Sequence, residues 1–205
     1  GINMQPIFMT QNLRAIFSST GVSLLIYAFI PGLVVTAGRL VEEKRSRIRE
    51  TLRVMGCSDA AYVLSGAFSA LLRMTVGTSL IAVCLAAFSA ISIADVPVVL
   101  GVCFLFSISL IAYAQLMPAL YSTSMWSNVT CMVLIAGGAV LSGLSTGWAH
   151  PLQLVCCLLS PVAFFYGVLP SLSLGSVTLL ISPGTACFML FLDTVIYFLL
   201  AQYIY

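Results

Sequence analysis

Charged residues are scarce in this chain. Lys, Arg, Asp and Glu make up 7% of its 205 residues, whereas 61% are hydrophobic. Soluble domains carry about 25% charged residues, and a soluble fold of this length could not cover its surface with so few. The composition therefore excludes a water-soluble domain and predicts an integral membrane protein whose apolar surface faces lipid.

Residues for metal binding and catalysis are also few. His150 is the single histidine, so neither a zinc site nor a catalytic triad can draw on two imidazoles. The seven cysteines form no C-x-x-C pair, and four lie singly inside apolar runs, where they act as small hydrophobes. No G-x-x-x-x-G-K-[ST] phosphate loop occurs. We expect no catalytic residue, metal ligand or cofactor site in this chain.

The few basic residues are concentrated in one place. Six of the eight Lys and Arg residues lie between positions 39 and 53. An excess of Lys and Arg in a short loop marks the cytosolic side of a membrane protein. Three interleaved glutamates hold the net charge of this segment to about +3, which does not favour nucleic acid as a partner. The segment is therefore predicted to be cytosolic.

Apolar segments of about twenty residues, the length of one bilayer crossing, predict membrane helices. They cover residues 20–38, 60–91, 98–117, 128–146 and 184–204. Pro31 predicts a kink in the first segment. The second is longer than a bilayer requires, and the sequence leaves open one long tilted span or an interfacial turn followed by a span.

Residues 148–183 are apolar but repeatedly interrupted by proline and glycine. This pattern is too broken for a regular span and predicts a hairpin that enters one leaflet. The predicted fold is an all-α polytopic transmembrane domain over residues 1–205, with five full spans plus a re-entrant or external helical hairpin. With the basic segment in the cytosol, Gly1 lies outside and Tyr205 inside. A full crossing by residues 151–170 would move Tyr205 to the other side.

Residues 39–56 have the pattern of a single amphipathic helix. Its apolar positions fall on one narrow stripe and its other positions are mostly charged. The stripe consists of Val41, Ile48, Leu52 and Met55. Gly56 suits the residue that ends such a helix. Composition alone is equally typical of an interfacial helix lying on the membrane.

The same segment carries a family resemblance. Residues 41–56, VEEKRSRIRETLRVMG, resemble the cytosolic signature E-K-E-x-R-L-K-E-x-M-x-x-M-G that follows the second membrane helix of ABCA transporters. Six positions match by identity: Glu43, Lys44, Arg47, Glu50, Met55 and Gly56. Arg45 departs from the signature by replacing an acid with a base.

Two later segments agree with the same family in order and spacing. Residues 158–164, LLSPVAF, resemble its L-L-S-P-x-A-F, and residues 189–197, MLFLDTVIY, resemble its M-x-L-x-D-x-x-x-Y. Together the three matches extend over nearly the whole chain. The chain is therefore similar to the transmembrane domain of an ABCA subfamily ATP-binding-cassette transporter.

This resemblance implies helices two to six of one half of an ATP-driven exporter, in the plasma membrane or an intracellular membrane. The first helix and a large external domain would precede Gly1. A nucleotide-binding domain holding ATP and Mg would follow Tyr205, so the parent protein is expected to be an ATP-hydrolysing translocase. Its expected partners are the lipid bilayer, a lipid or amphipathic substrate, that domain and the second transmembrane half. The alternative is a non-enzymatic membrane scaffold or a truncated partial-gene subunit without transport activity.

The resemblance also implies roles for particular residues. Residues 39–56 would be the coupling helix to the nucleotide-binding domain, with Glu43, Arg47 and Glu50 supporting the docking. Independently of the resemblance, Arg73 and Asp193 are the two charges expected to lie inside the bilayer, where a charge calls for a partner. Helical rise places them within about 5 Å of the same depth, which predicts a buried ion pair between them.

Overall fold

The computed structural model describes residues 21–56, 58–87, 96–145, 148, 150–172 and 182–204. All regular secondary structure in these residues is helical. Five helical stretches are long and apolar enough to cross a membrane: Gly21–Arg45, Ala61–Leu80, Val96–Leu120, Ser124–Ser145 and Pro183–Ile204. The predicted all-α polytopic fold with five spans is confirmed.

The first span contains a break. Residues 21–28 are helical, Phe29 forms a turn, and helix α1 (Ile30–Arg45) follows. Pro31 lies in the first turn of α1. Backbone N–H groups in a first turn make no intrahelical hydrogen bond, so the lack of an N–H in proline costs nothing there. The kink expected at Pro31 is observed instead as a turn at Phe29, two residues earlier. Helix α1 also extends beyond residue 38 and includes the first charged residues of the 39–56 segment.

The charged segment 39–56 forms two helices, so the prediction of one continuous helix was wrong. Helix α1 ends at Arg45, and α2 (Ile48–Val54) begins after Ser46 and Arg47. Arg47 has a φ of 53°, a left-handed conformation that costs a non-glycine residue about 1–2 kcal/mol. The Ser46 hydroxyl donates to the Glu42 carbonyl oxygen at 2.8 Å and so satisfies one of the last acceptors of α1.

The break also divides the apolar stripe predicted along this segment. Val41 is 1% exposed and belongs to the core, whereas Ile48 and Met55 are 43% and 75% exposed. Ile48 of α2 and Met55, which directly follows α2, therefore point away from this chain's own core. Gly56 has a φ of 90°, a conformation that glycine adopts without strain and that suits the end of a helix.

Helix α3 (Asp59–Ala87) is continuous over 29 residues. At 1.5 Å per residue it is about 43 Å long, more than the ~30 Å core of a bilayer. Of the two alternatives for this segment, the structure therefore has one long helix. Helices α4 (Val96–Leu120) and α5 (Ser124–Ser145) follow, joined by a short turn.

The broken apolar region forms two short helices, α6 (His150–Cys156) and α7 (Ser160–Leu172), and α8 (Pro183–Ile204) follows. The Ser182 hydroxyl oxygen accepts a hydrogen bond from the Thr185 backbone N–H at 3.3 Å, and Pro183 is the first residue of α8. This start follows the preference for serine at the N-cap and proline at the first helical position.

Helix α4 lies at the centre of the bundle and packs against α1, α3, α7 and α8. Three buried rings join its middle to its neighbours. The Phe106 centroid lies 4.9 Å from that of Phe29 and 4.4 Å from that of Phe164. The break in the first span, α4 and α7 therefore meet in one aromatic cluster, an arrangement worth about 0.5–1.5 kcal/mol per ring pair beyond burial.

The two ends of the bundle differ. We call the end where α1 terminates at Arg45 the charged end, and the opposite one the far end. Helices α6 and α7 form a hairpin whose tip lies deep in the bundle, because the Ser160 Oγ is 2.6 Å from the Ser109 Oγ near the middle of α4. From this tip α7 returns toward the far end, where Gly167 lies against Val102 and Ala186.

Candidate functional site

A cavity of about 330 Å³ lies at the charged end between α1, α3, α4 and α8. Part of its lining is polar: Thr36, Glu43, Lys44, Tyr62, Ser65, Ser69, Gln115 and Gln202. The remainder is apolar or glycine: Leu40, Val63, Gly66, Ala67, Ile111, Pro118 and Ala201. Its volume is at the lower end of the range for small-molecule sites, roughly 300–1,000 Å³. The cavity thus offers both hydrogen-bonding groups and apolar contact.

Two consecutive residues of α1 form part of the cavity wall. The Tyr62 hydroxyl of α3 donates a hydrogen bond to the Glu43 carboxylate. The Lys44 ammonium donates to the Pro118 carbonyl oxygen of α4. That carbonyl belongs to the last turn of α4, where the backbone has no intrahelical donor and a cation is favoured by the helix dipole. Glu43 and Lys44 therefore fasten α1 to two different helices.

The structure separates the six signature residues into two groups. Glu43 and Lys44 line the cavity, on the bundle side of the break. Arg47 forms the break, and Met55 and Gly56 lie exposed beyond it. Glu50 lies in α2, and its side chain is outside the described part of the chain.

Sequence reasoning gave no role to most of the cavity residues, and the missed ones include Tyr62, Gln115 and Gln202. Gln115 could have been noticed as a polar side chain in an otherwise apolar span, since such residues inside a membrane are costly and often functional. Nothing in the sequence connects Tyr62 with Glu43, because the two meet only through the packing of α3 against α1.

A second polar cluster lies in the middle of the bundle around Asp193. This residue is 1% exposed and sits halfway along α8. The Ser160 hydroxyl donates to its Oδ2 at 3.1 Å, and Ser160 also contacts Ser109 of α4. Hydroxyl and carboxylate groups that bond across helices stabilise packing in a membrane, where no water competes for them. The hairpin tip, α4 and α8 are therefore joined at one point.

Two tyrosines extend this cluster. Tyr197, one turn after Asp193 on α8, interacts with both Ser160 and Asp193. Its ring centroid lies 5.5 Å from that of Tyr113 on α4, in an edge-to-face arrangement. The L-L-S-P-x-A-F and M-x-L-x-D-x-x-x-Y resemblances thus meet in space, since one supplies Ser160 and the other supplies Asp193 and Tyr197.

Arg73 and Asp193 are not brought together, which corrects the predicted ion pair. Arg73 lies on an exposed face of α3, whereas the Asp193 carboxylate faces the hairpin tip. Within the described residues Asp193 takes its hydrogen bond from Ser160 instead. Helical rise placed the two charges at similar depth, but depth does not determine which way each side chain points around its helix.

The described residues contain no group of three or more His, Cys, Asp or Glu side chains that could hold a metal ion. The chemistry of both clusters is that of hydrogen bonding and packing between helices.

Comparison with known proteins agrees with this architecture. The sequence profile of a family described as ABC-2 family transporter protein matches residues 2–203. No curated protein matches the chain. The profile match spans all five membrane helices, the hairpin and the charged segment.

Proposed function

Because the chain belongs to the ABC-2 transporter family, we propose that it forms the membrane-spanning half of an ATP-driven exporter of the ABCA type that moves a lipid or another amphipathic molecule. Membership in this family and five apolar helices make the chain an integral, multi-pass membrane component of a transporter.

The amphipathic cavity at the charged end is the observation that supports this cargo class. Carboxylate, ammonium and amide groups of Glu43, Lys44 and Gln115 lie beside apolar walls. A cavity of about 330 Å³ suits a headgroup better than a whole two-chain lipid. The chains of such a molecule would extend along α3, whose Leu64, Phe68, Leu72 and Val76 form an exposed apolar stripe.

The position of the cavity supports coupling to ATP. It lies immediately before the break at Ser46 and Arg47, and α2 projects beyond that break with exposed side chains. In the proposed transporter the charged end faces the cytosol, and α2 docks on a nucleotide-binding domain that holds ATP and Mg. Arg47 and Glu50 support that docking, and a second transmembrane half completes the pathway.

Reconstitution tests this function. The complete transporter, with its nucleotide-binding domains, is placed in liposomes that contain fluorescent phosphatidylcholine, and the leaflet distribution of the probe is followed by dithionite quenching. ATP with Mg should redistribute the probe, and a variant lacking the phosphate-loop lysine of the nucleotide-binding domain should not. If wild-type protein moves neither this probe nor fluorescent phosphatidylserine, sphingomyelin or sterol, the lipid exporter is excluded and the scaffold alternative is favoured.

Two glycines of α3 provide a matched test of the cavity. Gly66 lines the cavity, whereas Gly77 lies outside it, and a Cβ at either position meets no atom within 4 Å. A leucine side chain at position 66 would occupy cavity volume, while one at position 77 would meet only the helix exterior. We expect Gly66→Leu to reduce ATP-dependent lipid movement and Gly77→Leu to leave it unchanged. Equal rates of lipid movement for the two variants would show that the cavity is not part of the transport pathway.

A further inference from the structure

The two contacts made by consecutive residues at the end of α1 carry a further inference, which rests on the proposed function. We propose that Glu43 and Lys44 are positioning residues that lock α1 to α3 and α4 at the charged end, instead of contacting the nucleotide-binding domain. The lock consists of the Tyr62 hydroxyl on the Glu43 carboxylate and the Lys44 ammonium on the Pro118 carbonyl oxygen.

Helical periodicity explains why these two signature residues face the bundle. Leu33, Ala37 and Val41 are buried along one side of α1, and Lys44 continues that side because it lies three residues after Val41. Glu43 follows Leu40 by the same interval, and both line the cavity. Lys44 and the neighbouring Arg45 are both exposed, and what distinguishes Lys44 is its hydrogen bond to the Pro118 carbonyl oxygen.

The break after these residues determines how movement reaches the bundle. Helix α2 is joined to α1 through Ser46 and the left-handed Arg47. A pull on α2 therefore reaches α1 directly beside Glu43 and Lys44, and it reaches α3 through the short connection that follows Val54. While the two contacts hold, α1 cannot move at the charged end without α3 and α4. The lock makes these three helices respond together, and the wall of the cavity that they form moves as one unit.

The single-atom variant Tyr62→Phe separates this role from docking. Residue 62 lies on α3, outside the charged segment 39–56, and the substitution removes only the hydroxyl that reaches Glu43. The complete transporter is assayed in liposomes with fluorescent phosphatidylcholine for both ATP hydrolysis and probe movement. We expect Tyr62→Phe and Glu43→Gln each to lower transport per ATP by about tenfold, the factor that a hydrogen bond to a charged group is typically worth. The control Tyr27→Phe, 36% exposed in the first span, should leave the ratio unchanged.

Combining the variants sharpens the test. If Glu43 and Tyr62 act through one contact, the double variant loses no more transport per ATP than either single variant. Additive losses would contradict a shared contact. If Glu43 instead contacts the nucleotide-binding domain, Glu43→Gln lowers the ratio and Tyr62→Phe does not, which overturns the proposal. A wild-type transporter without ATP-dependent probe movement refutes the proposed function itself, whereas normal coupling in Tyr62→Phe refutes only the lock.

The second contact has its own matched pair. Lys44→Met and Arg45→Met remove adjacent cations from the same turn of α1, but only Lys44 reaches the Pro118 carbonyl oxygen. Transport per ATP should fall in Lys44→Met and stay near wild type in Arg45→Met. The proposal is wrong if the two variants lose coupling equally, because a general loss of positive charge would then explain the effect.

Discussion

Replacing Gly138 by alanine is expected to loosen the hairpin from α5. A Cβ at this position would lie 2.7 Å from the Cβ and 2.9 Å from the Cγ of Pro161. Both contacts are shorter than carbon atoms tolerate, and the pyrrolidine ring cannot rotate away as a flexible side chain would. Pro161 is buried at the start of α7, so relief requires α7 to shift relative to α5.

The neighbouring Gly137 provides a matched control variant from which the steric cost of Gly138→Ala can be measured. A Cβ at position 137 meets nothing within 4 Å. Both glycines lie inside α5, so either alanine gains about 0.8–1 kcal/mol of helix propensity. Only Gly138→Ala also carries an overpacking cost, typically about 1–3 kcal/mol. The difference between the unfolding free energies of the two variants cancels the shared gain in helix propensity and leaves only the steric cost at position 138.

Thermal unfolding in detergent measures that difference. The fraction of protein that remains monodisperse by size exclusion after heating gives a midpoint for each variant. In a protein of this size 1 kcal/mol corresponds to about 2–4 °C, so the midpoint of Gly138→Ala should fall several degrees below that of Gly137→Ala. Equal midpoints would refute the close packing of α5 against the hairpin.

Further predictions concern the mid-bundle cluster and the break. In unfolding measurements, Ser160→Ala and Asp193→Asn should each cost about 1–3 kcal/mol, and the double variant should cost less than their sum because they share one contact. For Arg73→Ala and Asp193→Asn, the losses of unfolding free energy should instead add within about 0.5 kcal/mol in the double variant. A strongly non-additive loss would show that these two residues do form an ion pair. At the break, Arg47→Gly should raise stability by about 0.5–1 kcal/mol because glycine adopts the left-handed conformation freely, while Arg47→Val should lower it; the opposite order would contradict the observed φ.

The spans could be predicted from sequence because the length of an apolar run reports directly on bilayer thickness. Helix ends were also predictable where a single residue type determines the geometry, as at Ser182, Pro183 and Gly56. The break at Arg47 was not, because arginine is a good helix former and its left-handed conformation is imposed by its surroundings. Periodicity read across that residue therefore merged two helices into one.

The candidate site was only partly predictable for a related reason. The resemblance identified Glu43 and Lys44, but it gave no indication that they point into the bundle. Asp193 was correctly placed inside a membrane helix, yet its partner is a serine at the tip of a hairpin. Both outcomes depend on which helices are neighbours and how each is rotated, and neither quantity is contained in the pattern of a single segment.

The deep position of the hairpin tip has a consequence for biogenesis. Spans enter the membrane in the order of synthesis, so α4 and α5 are inserted before the hairpin exists, and α8 is inserted after it. Ser160 finds its carboxylate partner only when α8 arrives, because Asp193 lies halfway along that helix. Insertion of α8 is therefore the step that completes the Ser160–Asp193 contact. A nascent chain that stops before residue 183 leaves an apolar hairpin without its final neighbour, which is the kind of surface that membrane quality control removes.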